Sequence, residues 1–269
     1  MWHNISRIAR YPVPIRLGVF ILILLLLWLP IAIPIYLVGL DPNTVSILTM
    51  LLLYGEFILL LRWWGKRVYH QPQILQHYGL VRTRDNWLDL LRGLVIGVVL
   101  VFSLFLVEGW LGWLVWLPST GFLPRIVLEG LVVAIAVGFA EELLFRGWLL
   151  DELLRDYRFH RALWINATLF ALLHFIKPLP DILRTLPQFP ALVVLGLTLV
   201  WARMRKNRLG LPIGLHAGLI WGYYIINVGQ LTQYSGQVPD WITGVDRNPL
   251  AGVMGLFFLG VLALWVRRK

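Results

Sequence analysis

Long apolar segments separated by short polar ones run through the whole chain. A helix needs about 20 mostly apolar residues to cross about 30 Å of hydrocarbon. Eight segments are candidates for such helices, namely 17–40, 43–61, 88–116, 125–150, 161–178, 187–203, 209–228 and 249–266. The pattern predicts an all-α polytopic membrane protein with about eight transmembrane helices.

The composition supports this interpretation. Hydrophobic residues make up 59% of the 269 residues and charged residues 14%, whereas about a quarter of the residues of a soluble domain are charged. Because no internal repeat or soluble domain is visible, we expect residues 1–269 to form a single transmembrane domain. The segment 17–40 is too long for a signal peptide and lacks a cleavage pattern, which predicts a retained anchor.

The net charge of +10 reflects basic residues spread over many short segments, which argues against a nucleic-acid partner. With the N-terminus inside, 19 of the 24 Lys and Arg residues fall in inner segments and four in outer ones. Since Lys and Arg accumulate on the cytoplasmic side, we expect a lipid bilayer as partner and both termini in the cytoplasm.

Two polar connections stand out. Residues 62–86 mix basic and aromatic residues, which is typical of a segment lying on the inner leaflet; a gate to a cavity is the alternative. Residues 229–248 contain Gly, Pro and Asp at turn spacing, which predicts the main outer loop.

The chain has no cysteine, which excludes disulfides, thiol nucleophiles and Cys-type zinc sites.

Few ionisable residues lie inside the apolar segments, and such residues are functional-site hypotheses by default. The stretch FAEELLFRGWLL, residues 139–150, carries three. Glu142 and Arg146 are spaced i, i+4 and share one helical face, where they are well oriented to pair. Glu141 is displaced by about 100° around the helix. One carboxylate is therefore expected to be structural, and the other is available for chemistry.

Two histidines extend this set. Asn166, Phe170 and His174 follow an i, i+4, i+8 stripe in NATLFALLHF, and His216 lies in LPIGLHAGLIWGYY beside small residues. Glu141 and His174 stand at equal distances from a turn centred near 157–158, which predicts that they face each other at one depth. A carboxylate and two imidazoles activate water directly or bind a catalytic zinc ion. Hydrolysis is the reaction class that we expect.

The three motifs EELLFR, FALLH and GLHAG, in this order on separate apolar segments, resemble the CPBP family of intramembrane proteases. That family includes the type II CAAX prenyl endopeptidases and the Abi proteins linked to bacteriocin processing and self-immunity. The resemblance covers roughly residues 125–228, which we expect to form the catalytic core. It implies a hydrolase of the bacterial inner membrane that cuts a peptide or membrane-protein substrate, either prenylated or leader-bearing.

The resemblance also implies a role for each motif residue. Glu141 and His174 are expected to activate the attacking water, and His216 to stabilise the oxyanion. Glu142 and Arg146 form the supporting pair, with Phe170 in the second motif. In a metalloprotease, zinc would be bound by Glu141, His174 and His216.

One position departs from the family pattern. Ile220 stands four residues after His216, where the family commonly has Asn or Asp, and isoleucine cannot donate a hydrogen bond. Trp221, Asn166 or the backbone are the alternative donors. The departure leaves open a catalytically silent scaffold or immunity protein of the same fold. A proton-coupled transporter using Glu141 and His174 is a second alternative, although such carriers typically contain internal repeats.

Overall fold

The computed structural model describes residues 2–119 and 121–268, and it confirms the all-α membrane fold. The helices are α1 (Val13–Leu37), α2 (Pro42–Arg67), α3 (Ile74–His77), α4 (Arg84–Trp110), α5 (Leu123–Glu142), α6 (Leu150–Asp156), α7 (Phe159–Leu173), α8 (Leu179–Thr185), α9 (Phe189–Lys206), α10 (Gly210–Val228), α11 (Asp240–Thr243) and α12 (Val253–Arg268). Two short strands, β1 (Leu114–Trp116) and β2 (Thr232–Tyr234), complete these elements.

Six helical stretches among the described residues are long and apolar enough to cross a membrane. They are Val13–Leu37, Pro42–Arg67, Arg84–Trp110, Leu123–Asp156, Leu179–Lys206 and Gly210–Val228. The protein is therefore an integral membrane protein. The other two predicted segments correspond to α7 and α12, which have 15 and 16 residues. The number of eight spans stays a prediction.

Two predicted helix ends were placed too far along the chain. The segment 88–116 ends as a helix at Trp110, and its last three residues form β1, which pairs antiparallel with β2. Gly112 has a φ of +76° in the turn between α4 and β1. The apolar run continues through this turn, so hydropathy gave no signal of it. The segment 161–178 likewise leaves the helix at His174.

The chain divides into two compact units, each described by itself. The first comprises Met1–Gly79 with Asp151–Tyr157, and the second comprises Leu80–Leu150 with Arg158–Lys269. In the first unit the buried Arg16 donates from Nε to Glu152 Oε2 at 2.7 Å and from Nη1 to Asp156 Oδ1 at 2.9 Å. Tyr69 donates its hydroxyl to the other Glu152 oxygen. Because a buried charge is costly unless it is paired, these bonds hold α1 to residues 151–157.

Helix α10 packs closely against α4 and α5 in the second unit. A Cβ added to Gly214 would lie 2.0 Å from Leu90 O, and one added to Gly93 would lie 2.6 Å from Leu211 O. Only glycine permits this approach of two backbones. On the α5 side, Gly138 faces Ile213 O and Ala217 N at 3.1 Å from the Cβ position. These contacts hold α10, and with it His216, between two helices.

We predict that Gly214→Ala destabilises the protein by about 1–3 kcal/mol, because the added methyl group overlaps the Leu90 carbonyl and forces α4 and α10 apart. Gly260→Ala is the matched control, since nothing lies within 4 Å of its Cβ position; it is expected to gain up to about 1 kcal/mol of helix propensity. Denaturant unfolding in detergent micelles measures both. Equal stability of the two variants would contradict the packing described for α10.

Candidate functional site

The backbone changes its helical form at the start of the site. Helix α5 ends at Glu142, and residues Leu143–Leu149 form π-helical turns before α6 begins. Such turns are rare and frequently occur at functional sites. The Phe145 carbonyl in this segment accepts a hydrogen bond from Asn166 Nδ2 at 2.7 Å. Asn166 of α7 is therefore engaged in holding the π-helical segment.

Glu142 joins two helices through a single oxygen. Its Oε1 accepts from Arg146 Nη1 at 2.9 Å and lies 2.9 Å from His216 Nδ1 on α10. The side chains of Glu142 and Arg146 are fully buried. Burial of a charge requires a partner of opposite sign, so the predicted pair is present. The carboxylate also orients the imidazole of His216, which the i, i+4 spacing did not indicate.

Aromatic side chains and a carbonyl surround the Arg146 guanidinium. Its Cζ lies 4.2 Å from the centroid of the Phe170 ring and 5.6 Å from that of Phe145, and Nη2 donates to Gly196 O at 3.4 Å. A guanidinium over an aromatic face is stabilised by the ring quadrupole. Phe170 therefore supports the ion pair with its ring.

The tautomers of both histidines follow from their partners. His174 Nδ1 lies 2.7 Å from Phe170 O, and a carbonyl only accepts, so we assign the proton to Nδ1. By the same argument His216 donates from Nδ1 to the Glu142 carboxylate. With Nδ1 engaged in this way, Nε2 is the ring nitrogen that each histidine presents to the site. The Nε2 atoms of both histidines face the same place.

That place is the carboxylate of Glu141. Its Oε2 lies 3.9 Å from His174 Nε2 and 3.9 Å from His216 Nε2. These separations are too long for direct hydrogen bonds, but an oxygen atom about 2.8 Å from both members of such a pair is geometrically allowed. Oε2 is buried and has no hydrogen-bond partner among the described residues. The arrangement suits a water molecule bound between the three side chains.

The same three residues have the ligand types of a catalytic zinc site, but not its spacing. Ligand atoms about 2.1 Å from a tetrahedral zinc ion lie about 3.4 Å apart, which is less than the 3.9 Å from Glu141 Oε2 to each Nε2. Among the described residues, no group of three His, Cys, Asp or Glu side chains is arranged to hold a metal ion. The side chains as placed do not fit zinc, and zinc stays a prediction.

A mostly apolar cavity of about 330 Å³ opens beside Glu141, His174 and His216. Helices α4, α5, α9, α10 and α12 contribute its apolar wall, which includes Leu100, Val101, Leu104, Val137, Leu192, Leu195, Leu219, Ile220, Phe258 and Leu259. The polar side chains outside the motifs are Gln188, Tyr223 and Asn248. Sequence reasoning missed Gln188 and Asn248 because they lie in connections between helices, where there is no periodic signal. It also missed Tyr223, although this residue follows His216 by seven positions and so lies on the same face of α10.

The hydrogen-bond donors proposed in place of Ile220 are already engaged. Trp221 Nε1 donates to Val127 O at 2.9 Å, and Asn166 is bonded to Phe145. Neither residue lines the cavity, whereas Ile220 does. The structure thus brings together all six motif residues named in the sequence, and it leaves an isoleucine at the position of the expected donor. The catalytic role of each residue stays a prediction.

Residues 122–222 match the model of one protein family, described as type II CAAX prenyl endopeptidase Rce1-like. The match covers both the EELLFR motif and the two histidines, and it supports the CPBP membership predicted from the motifs. No curated protein and no solved structure matches the chain.

We predict that Glu142→Gln lowers the free energy of unfolding by about 3–5 kcal/mol, because it leaves the buried Arg146 charge without its partner. The double variant Glu142→Gln/Arg146→Met removes both charges and is expected to be more stable than Glu142→Gln alone. Denaturant unfolding of the two variants and of Arg146→Met completes the cycle. Additive losses would contradict the coupling of the two side chains.

Proposed function

Because residues 122–222 carry the Rce1-like domain, we propose that the protein is an intramembrane endopeptidase that uses water activated by Glu141 and His174. The family is one of intramembrane CAAX-type proteases. The finer proposal is that the substrate is a membrane-associated peptide, prenylated or leader-bearing, whose scissile bond enters the cavity. The observation that carries the proposal is the convergence of Glu141 Oε2 with both Nε2 atoms at 3.9 Å.

In the first step, a water molecule between Glu141 and His174 attacks the carbonyl carbon of the substrate. Glu141 Oε2 accepts a proton from this water, and His174 Nε2 accepts the hydrogen bond of its second proton. The fixed Nδ1–H bond of His174 to Phe170 O keeps the lone pair aimed at the water. A carboxylate at hydrogen-bond distance from a bound water is a competent general base.

In the second step, the carbonyl oxygen becomes an oxyanion that needs a donor. We assign this donor to His216, which in this step carries protons on both ring nitrogens, donating from Nε2 to the oxyanion and from Nδ1 to the Glu142 carboxylate. The peptide C–N bond then breaks as the proton held by Glu141 passes to the leaving nitrogen. The hydrolysis balances without a further reactant.

The location proposed for this reaction is a bacterial inner membrane, with both termini in the cytoplasm. The inner excess of Lys and Arg supports the orientation. The antiparallel approach of α5 to α10 and the parallel approach of α4 to α10 suit helices that alternate in direction across the membrane.

We predict that Glu141→Gln and His174→Ala each lower kcat by about 10²–10⁴, because each removes a group that handles the proton of the attacking water. The assay follows cleavage of a prenylated and of a leader-bearing fluorogenic peptide in proteoliposomes. Glu129→Gln is the control, since this exposed carboxylate on the same helix pairs with Arg125; it is expected to retain full activity.

Cleavage by both site variants at the wild-type rate would overturn the mechanism. Treatment with a zinc chelator, followed by addition of zinc, tests the metal alternative separately. The proposal expects activity to persist in the chelator. Loss of activity that zinc restores would instead support coordination by Glu141, His174 and His216.

Ile220 is the specific observation that favours a catalytically silent scaffold of the same fold. It lines the cavity at the position of the expected oxyanion donor. We predict that Ile220→Asn raises kcat about tenfold, because one correctly placed donor is worth about 10²–10³ in rate and His216 already supplies part of this stabilisation. Ile220→Leu is the control. A wild type and an Ile220→Asn variant that both fail to cleave would support the scaffold.

A further inference from the structure

Helices α9 and α12 end side by side in a group of cations that the proposed reaction does not use. The last turn of α9 contains Arg203, Arg205 and Lys206, and that of α12 contains Arg267 and Arg268. The two helices pack on each other. We define the α9–α12 basic cluster as Arg205, Lys206, Arg267 and Arg268.

Two of these cations lie over tryptophan rings of the neighbouring helix. Arg205 Cζ is 5.5 Å from the centroid of Trp265, and Arg267 Cζ is 5.6 Å from that of Trp201. Each contact therefore joins one helix to the other. A guanidinium over a ring has its plane supported by the aromatic side chain, while its N–H donors remain available at its edge. The pairing orients the cations without consuming their hydrogen-bonding capacity.

Carboxylates do not balance this cluster among the described residues. No ion pair links its four members to an Asp or Glu, and neither α9 nor α12 contains an acidic residue. The acidic residues at the start of α4 are engaged elsewhere, since Arg208 binds Asp89 at 2.5 Å and Asp85 at 3.3 Å. Among residues 2–119 and 121–268, the cluster thus has no carboxylate partner.

The charge asymmetry of membrane proteins accounts for the number of cations on one side of the membrane, but not for the contacts that two of them make with tryptophan rings. Tryptophan rings favour the level of the lipid headgroups, and anionic lipids attract basic side chains there. A phosphodiester offers oxygen acceptors that match the planar donors of arginine. We propose that the α9–α12 basic cluster is a binding site for the phosphate of an anionic phospholipid.

Lipid retention measured by native mass spectrometry tests this site on the purified full chain. The probes are phosphatidylglycerol and phosphatidylcholine with identical acyl chains. We expect the wild type to retain about ten times more phosphatidylglycerol than phosphatidylcholine, and Arg205→Gln/Arg267→Gln to retain about twice as much. Trp265→Leu removes a supporting ring and keeps the charge, and we expect it to retain about three times more phosphatidylglycerol than phosphatidylcholine. A wild type that retains both lipids equally would overturn the proposal.

The matched control is Arg158→Gln/Arg161→Gln, which removes two exposed cations elsewhere in the same unit and is expected to keep the tenfold preference. An equal loss in this control would show a general effect of surface charge and overturn the site. Glycerol phosphate is added in a separate arm. If glycerol phosphate displaced the lipid at equal concentration, the ligand would be a free phosphate ester, and this result would contradict the lipid assignment.

Discussion

The buried ion pair of Glu142 and Arg146 is the interaction on which the arrangement of the site depends. Each side chain is fully buried, so neither charge is tolerated without the other. The carboxylate oxygen that accepts from Arg146 also binds His216. The pair thereby fixes an imidazole on another helix, and the Phe170 ring that covers Arg146 belongs to the residue whose carbonyl fixes His174.

Glu141 does not take part in the ion pair between Glu142 and Arg146. Oε1 of its neighbour Glu142 binds both Arg146 and His216, whereas Oε2 of Glu141 has no hydrogen-bond partner among the described residues. The two histidines are held from their Nδ1 sides and face Glu141 through Nε2. The carboxylate that pairs with Arg146 and the one proposed to react are therefore adjacent in the chain. Glu142 contacts His216 at Nδ1, whereas Glu141 faces Nε2 of both histidines.

Much of this was predictable from the sequence, for a physical reason. The cost of charge in hydrocarbon makes Glu141, Glu142 and Arg146 conspicuous, and the helical repeat correctly predicted the Glu142–Arg146 pair. Equal helical arms predicted that Glu141 and His174 lie close together. The apolar wall from α4 and α12 was not predictable, because the stretches 93–107 and 253–266 that contribute it are almost wholly apolar, and periodicity cannot choose a face there. The turn at Gly112 was missed for the same reason.

The π-helical turns at Leu143–Leu149 give the site a sensitivity to chain length. A π-helical bulge corresponds to one extra residue in an α-helix. Removal of Leu143, Leu144 or Phe145 would let the backbone close into regular α-helix and would shorten the Glu142–Arg146 spacing from four residues to three. The hydrogen bond from Arg146 to Glu142 and the contact of its guanidinium with the Phe170 ring are made with the present spacing, while the hydropathy of the segment would hardly change. A deletion here therefore tests the ion pair without altering the chemistry of either partner.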